Sequence, residues 1–266
     1  MQQHITQVRT PTVWFRRCID PPPTFLSTVI DIVLTAGLVI AFSSIADVPG
    51  FVCLQSVAIL AVFAMCMAMQ NKGFCTGFSF GPADRITLVR AGIAALCAGF
   101  LFHGDTAAAM GWWLPLIAGF AFILDGADGW VARRTGTASD FGAQFDIETD
   151  AFLTLALSGL VWQLGKVGYW VLGIGALHYL LLAAYTLLPG VTGELFTSRR
   201  RKVIGAMQVV ALGICLLPAI GPGAAAPVAG LALVTLVFSF GIDAVWLMQR
   251  KADHTLEGRV QSLRLA

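Results

Sequence analysis

Eight apolar segments alternate along the chain with short stretches that are polar or rich in Pro and Gly. Each segment is about 20 residues long, which is the length that an α-helix needs to cross the hydrocarbon core of a bilayer. The Pro and Gly residues between the segments indicate turns. The pattern predicts an all-α polytopic membrane protein with eight transmembrane helices, at roughly residues 24–45, 50–70, 85–103, 107–130, 144–164, 167–188, 203–221 and 226–249.

Composition excludes the soluble alternatives. Hydrophobic residues make up 57% of the 266 residues and charged residues only 12%, whereas a soluble domain has about 45–50% and about 25%. A disordered chain would expose too much apolar surface, and a net charge of +2 does not indicate nucleic-acid binding. The first apolar segment could be a signal peptide, but it exceeds the roughly 7–15 apolar residues of such a segment. We therefore expect a retained helix.

The distribution of Lys and Arg predicts the orientation of the chain. All of the 17 Lys and Arg residues except Arg90 and Lys166 lie at the ends of segments that share one side of the membrane. Because positive residues concentrate in cytoplasmic loops, both termini and the loop after the fourth segment are predicted to be cytoplasmic. We expect the protein in a bacterial inner membrane.

Acidic residues cluster in that cytoplasmic loop and its flanking helices. Six of the 15 acidic residues lie between Asp125 and Asp150. Asp125 and Asp128 share one helix face by their i, i+3 spacing, and Asp146 and Asp150 share another by their i, i+4 spacing. Two helices therefore each contribute two carboxylates to a shared cleft.

Four facing carboxylates repel one another unless cations neutralise them. Their hard oxygen atoms favour Mg²⁺, Mn²⁺ or Ca²⁺ over zinc. Two such ions would suit a diphosphate substrate, whose charge they would offset during displacement. Small residues at Gly129, Ala132 and Gly142 would leave room for a nucleotide beside the helix backbone.

This run resembles the signature of the CDP-alcohol phosphotransferase (CDP-alcohol phosphatidyltransferase) family, D-x2-D-G-x2-A-R-x8-G-x3-D-x3-D. The fixed positions are all present: Asp125, Asp128, Gly129, Ala132, Arg133, Gly142, Asp146 and Asp150. The resemblance covers about residues 71–250. It implies a six-helix core at residues 71–266, preceded by an extension at residues 1–70 with two further transmembrane helices.

The resemblance also implies roles for individual residues. The metal ligands would be Asp125, Asp128, Asp146 and Asp150, and the cofactors two Mg²⁺ or Mn²⁺ ions. Asp150 would also be the catalytic base that takes a proton from the acceptor hydroxyl. The cytidine-nucleotide site would consist of Gly129, Ala132, Arg133 and Gly142, with Thr87 and Arg90 from the preceding helix.

The implied reaction passes a phosphatidyl group from a CDP-linked lipid, for which we expect CDP-diacylglycerol, to a small polar alcohol such as glycerol 3-phosphate or an inositol phosphate. CMP is released. A basic run could bind the acceptor phosphate, or it could be only a topology signal in contact with anionic lipid. This run is Arg199, Arg200, Arg201 and Lys202. The resemblance further suggests a homodimer.

Two other classes of protein stay open at this point. A UbiA-like prenyltransferase also places Asp-rich helices and magnesium at a membrane surface, but its carboxylate spacing differs. A transporter with an acidic cation site would need neither Arg133 nor the glycines at these spacings.

Some polar residues are expected to have structural roles. We expect Glu148 to pair with Arg133 or Arg134, and Asp140 to lie in the turn, where it could cap the next helix. His178 is expected to be a hydrogen-bonded core residue. Asp31 and Asp243 lie inside apolar segments near their cytoplasmic ends, and structural roles are favoured for both.

Overall fold

The computed structural model describes residues 25–70, 80–136, 139–187 and 199–242, and no β-strand occurs among them. The predicted all-α fold class is confirmed. The helices are α1 (Phe25–Ile45), α2 (Gly50–Gln70), α3 (Pro82–Gly99), α4 (Gly104–Ala109), α5 (Trp113–Thr135), α6 (Asp140–Gln163), α7 (Leu172–Leu187), α8 (Arg199–Leu216) and α9 (Pro222–Ile242), with a 3₁₀ turn at Tyr169–Val171.

The helices have apolar outer surfaces and an apolar core that also encloses a charged group. Large side chains such as Leu34, Leu54 and Val234 are more than half exposed, whereas Arg90 is 1% exposed. Four helices are long and apolar enough to cross a membrane, namely α1, α2, α5 and α9. Polar and charged groups are costly in the hydrocarbon core of a bilayer, so a membrane protein turns apolar side chains outwards and charged ones inwards. These features therefore indicate an integral membrane protein. The count of eight spans stays a prediction.

The helices that carry the acidic cluster begin and end at recognisable signals. Pro82 is the first residue of α3, where no backbone donor is needed, and the Asp84 carboxylate accepts a hydrogen bond of 2.9 Å from the backbone N–H of Gly81. The Ser139 hydroxyl caps α6 by accepting a 2.9 Å hydrogen bond from the backbone N–H of Gly142. The expectation that Asp140 caps α6 is wrong, because Asp140 is already the first helical residue.

Helix α3 lies at the centre of the described structure, in contact with α1, α2, α5 and α6. Two of its glycines allow α1 and α2 to approach closely. A Cβ atom on Gly92 would lie 2.9 Å from Cγ2 of Thr35 in α1. A Cβ atom on Gly99 would overlap the Ser56 hydroxyl of α2 and lie 3.1 Å from the carbonyl oxygen of Val52. The N-terminal helices therefore pack directly on the helix that carries Arg90.

Aromatic rings join α2 to α6 as well. The ring of Phe63 in α2 stacks on Phe152 at a centroid distance of 4.9 Å and on Phe145 at 6.2 Å. Phe145 also stacks on Phe80 at 5.6 Å. Such offset pairs add about 0.5–1.5 kcal/mol each beyond burial. The division of the chain at residue 70 stays a prediction, and helices from both sides of it pack together.

Lys166 is the one basic residue predicted on the side opposite to the acidic cluster. Its ammonium group donates hydrogen bonds to the carbonyl oxygens of Leu217, at 3.2 Å, and Ile220, at 2.5 Å, just beyond the end of α8. A cation at this place satisfies carbonyl groups that a helix end leaves without partners. This contact gives Lys166 a structural role beyond the topology signal.

Candidate active site

The two helices predicted to share the acidic cluster do meet. Asp125 and Asp128 lie near the end of α5, and Asp146 and Asp150 lie in the first half of α6. Ligand oxygens of Asp125, Asp128 and Asp146 lie within 4.8 Å of one another. Three carboxylates at this separation could hold a hard divalent cation, so the residues fit the metal that the sequence predicts.

Arg90 of α3 joins all four aspartates. Its Nη1 atom lies 2.6 Å from Oδ2 of Asp128 and 2.7 Å from Oδ1 of Asp146. Its Nη2 atom lies 3.2 Å from Oδ1 of Asp125 and also pairs with Oδ1 of Asp150. The guanidinium thus brings the fourth aspartate into the cluster that the other three form.

This central position of Arg90 was not anticipated from the sequence, which placed the residue on the nucleotide side. A signal was available: an arginine inside an apolar helix must find a counter-charge, because a buried unpaired cation is very costly. Four aspartates at helical spacings elsewhere in the chain offered such a partner, but spacing alone did not say which helix would face them.

Thr87 also contacts the cluster rather than standing apart from it. Its hydroxyl lies 3.2 Å from Oδ2 of Asp128 and 3.3 Å from the backbone carbonyl of Ala83. Asp128 is 4% exposed, and the same oxygen accepts hydrogen bonds from Thr87 and Arg90. The least exposed of the four carboxylates is therefore the one with the most contacts to α3.

Gly142 lies where the starts of α3 and α6 approach each other. A Cβ atom at this position would lie 2.6 Å from Oδ1 of Asp84 and 3.1 Å from the hydroxyl of Ser139. A side chain at residue 142 would therefore push α6 away from α3. The glycine has a packing role here, in addition to the nucleotide contact that the resemblance implies.

The remaining predicted nucleotide residues follow the two aspartates of α5. Gly129 and Ala132 are partly exposed, and Arg133 folds back so that its Nη1 atom would lie 3.3 Å from a Cβ on Gly129. Arg134 turns away, with its guanidinium 4.9 Å above the ring of Trp130. The end of α5 thus presents small residues and one exposed guanidinium beside the carboxylates.

A small cavity adjoins the cluster on its α8 side. Arg90, Asp125 and Asp150 line one side of it, and Gly205, Ala206 and Val209 of α8 line the other. A Cβ atom on Gly205 would meet no atom within 4 Å. Arg199, Arg200, Arg201 and Lys202 form the first turn of α8, although their side chains lie outside the described part of the chain.

Glu148 and Asp31 each contact a side chain of another helix. Glu148 does not pair with Arg133 or Arg134 among the described residues; its carboxylate lies 3.5 Å from Nε2 of His178 in α7. Glu148 is on the side of α6 that faces α7, out of reach of the end of α5. Asp31 has the structural contact expected of it, with Arg85, and Asp243 lies outside the described residues.

Comparison with known protein families gives one match. The family described as CDP-alcohol phosphatidyltransferase matches residues 80–241, which is more than half of the chain and includes α3 to α8 with all four aspartates. No curated protein and no solved structure matches the chain.

Proposed function

The chain belongs to the CDP-alcohol phosphatidyltransferase family. From this premise we propose that it transfers a phosphatidyl group from CDP-diacylglycerol to a small polar alcohol and releases CMP. The family implies a transferase with a CDP-linked donor and an alcohol acceptor. The apolar outer surfaces of the helices support a lipid donor, because its acyl chains can lie beside them while the nucleotide stays near the cytoplasmic surface.

The convergence of carboxylates from α5 and α6 is the observation that carries the proposal. Two Mg²⁺ or Mn²⁺ ions held by Asp125, Asp128, Asp146 and Asp150 would bind the diphosphate of the donor and offset the charge that develops on it. Hard oxygen ligands at the observed separation favour such ions. Gly129, Ala132, Arg133 and Gly142 would contact the cytidine nucleotide, with Thr87 and Arg90 behind them on α3.

Asp150 is the aspartate best placed to act on the acceptor. Its side chain is 35% exposed, the most accessible of the four, and it lines the cavity beside α8. In the proposed reaction, Asp150 accepts the proton of the acceptor hydroxyl. The acceptor oxygen then forms a bond to the β-phosphorus, the bond from that phosphorus to the oxygen shared with CMP breaks, and the electron pair leaves with CMP.

The side of α8 that faces Asp150 suggests where the acceptor approaches. Helix α8 runs from the basic turn at residues 199–202 to Gly205 and Ala206 in the cavity wall. A phosphate on the acceptor would suit the guanidinium groups of that turn, which favours glycerol 3-phosphate or an inositol phosphate. In this arrangement both termini and the site face the cytoplasm, in a bacterial inner membrane with eight spans. The contacts of the single chain offer no support for a homodimer.

A transfer assay with purified protein tests the proposal. With CDP-diacylglycerol, a divalent metal and a panel of acceptor alcohols, CMP release should require both metal and acceptor. Asp150→Asn should lower the rate by about 10²–10⁴-fold, the contribution of a general base. Asp140→Asn is the matched control, because this exposed acid on the same helix is outside the cluster and its loss should leave the rate unchanged.

Three results would contradict the proposal. Release of a diphosphate from a prenyl donor without CMP formation would favour a prenyltransferase. Cation uptake into vesicles without nucleotide turnover would favour a transporter. Equal CMP release by Asp150→Asn and wild-type protein would remove Asp150 from the mechanism.

A further inference from the structure

Arg90 is the only cation that contacts the four aspartates among the described residues. Burying several carboxylates within a few ångströms of one another is strongly unfavourable without a counter-charge. One guanidinium carries five N–H donors in a planar arrangement, which lets it bridge carboxylates from two helices. Arg90 therefore supplies positive charge that offsets the repulsion among these carboxylates.

The contacts of Arg90 fall on the same carboxylates that a metal ion would use. It contacts Oδ1 of Asp125, Oδ2 of Asp128 and Oδ1 of Asp146, and these three residues are the ones whose ligand atoms converge. A divalent cation and a guanidinium attract the same carboxylates and repel each other. Both cannot keep their best contacts at once.

Among the described residues, the guanidinium of Arg90 is held through its two Nη atoms. The Nε atom of Arg90 is buried and has no hydrogen-bond partner among the described residues, so the aspartates are the contacts that hold this group in place. The side chain also borders the small cavity between α5, α6 and α8.

We propose that Arg90 is an internal counter-ion of the four aspartates and that a divalent cation competes with it for their carboxylates. The inference rests on the metal site of the proposed function but not on the donor or the acceptor. Its test therefore measures metal binding and folding rather than transfer.

The test compares wild-type protein with Arg90→Met, which keeps much of the side-chain length and removes the charge. Each protein is purified in Mg²⁺ and then stripped with a chelator. Mn²⁺ affinity is measured by calorimetric titration, and thermal unfolding is followed with and without Mn²⁺. Arg85→Met is the matched control, because Arg85 is on the same helix and in an ion pair but contacts Asp31 rather than the cluster.

We expect Arg90→Met to bind Mn²⁺ roughly tenfold more tightly or better than wild type, because the competing cation is gone. Its metal-free Tm should fall by several degrees, and Mn²⁺ should raise that Tm by more than it raises the wild-type value. Arg85→Met should keep the wild-type Mn²⁺ affinity. Arg90→Lys, with a single compact charge that cannot bridge four carboxylates, should lie between, and it serves as the test if Arg90→Met does not fold.

The outcomes separate this inference from the metal site itself. If wild-type protein binds Mn²⁺ and both Arg90 variants bind it equally or more weakly, Arg90 is a fixed positioning group and the competition is refuted. If wild-type protein and Arg90→Met both fail to bind Mn²⁺, the metal site fails, and the inference fails with it.

Discussion

The guanidinium Nε of Arg85 lies 3.1 Å from Oδ2 of Asp31. Asp31 belongs to α1, which precedes the region matched to the family, and Arg85 belongs to α3, which is within that region. Arg85 lies five positions before Arg90 on the same helix, so the ion pair fixes one end of the helix that supports the aspartate cluster. The two N-terminal helices are thus linked to the helix behind the candidate active site.

Removing this ion pair should destabilise the protein. Asp31→Asn should lower the free energy of unfolding by about 1 kcal/mol, a modest value because the Arg85 side chain is 55% exposed. The corresponding fall in Tm is about 2–4 °C for a chain of this size, measured by thermal unfolding in detergent. Asp47→Asn, at an exposed acid between α1 and α2, is the control. If the two variants have equal Tm values, the ion pair between Asp31 and Arg85 does not stabilise the protein.

The hydroxyl of Thr87 should matter for metal binding. Thr87→Val keeps the shape of the side chain but removes the hydrogen bond to Asp128, a bond to a charged group that contributes about 1.5–3 kcal/mol. Mn²⁺ affinity and CMP release should each fall about tenfold or more. Thr149→Val is the control, because the Thr149 hydroxyl is buried on α6 and has no hydrogen-bond partner in the part of the chain that the structure describes. A wild-type Mn²⁺ affinity in Thr87→Val would show that the contact is incidental.

Gly142 should tolerate no side chain. In Gly142→Ala, the new Cβ atom would lie 2.6 Å from Asp84 Oδ1, so either the Asp84 side chain that caps α3 or the start of α6 must move. Overpacking of this kind costs about 1–3 kcal/mol, and we expect both a lower Tm and a loss of CMP release. Gly119→Ala in α5, where a Cβ atom would meet nothing within 4 Å, should keep the wild-type rate. Retained stability with lost nucleotide affinity would indicate a nucleotide contact instead.

Narrowing the cavity beside α8 should weaken binding of the acceptor. Gly205→Val fits without a clash at Cβ but narrows the space next to Asp150. The acceptor KM should rise roughly tenfold or more, since one or two methyl groups in a pocket change discrimination by about 1–3 kcal/mol, while the donor KM stays constant. Gly213→Ala, two turns further along α8, is the matched control. A rise in donor KM alone would place the acceptor elsewhere.

Sequence reasoning located the helices well because their signals are local. The predicted spans 24–45 and 50–70 coincide closely with α1 and α2, since apolar length and flanking Pro or Gly residues act within one segment. The spacing of the four aspartates likewise determines which of them share a helix face. The family signature depends only on the order of residues between Asp125 and Asp150, so it can be recognised without the structure. The family that it predicted is confirmed.

The tertiary structure decided which groups face one another across helices. Spacing could not tell that Arg90 would point at the aspartates, that Glu148 would face His178, or that Asp31 would reach Arg85. Periodicity fixes where a side chain points around its own helix, but not which distant helix packs against that face. The aspartates and their spacing were thus a property of the sequence, whereas the cation among them came from a separate helix that only packing brings into contact.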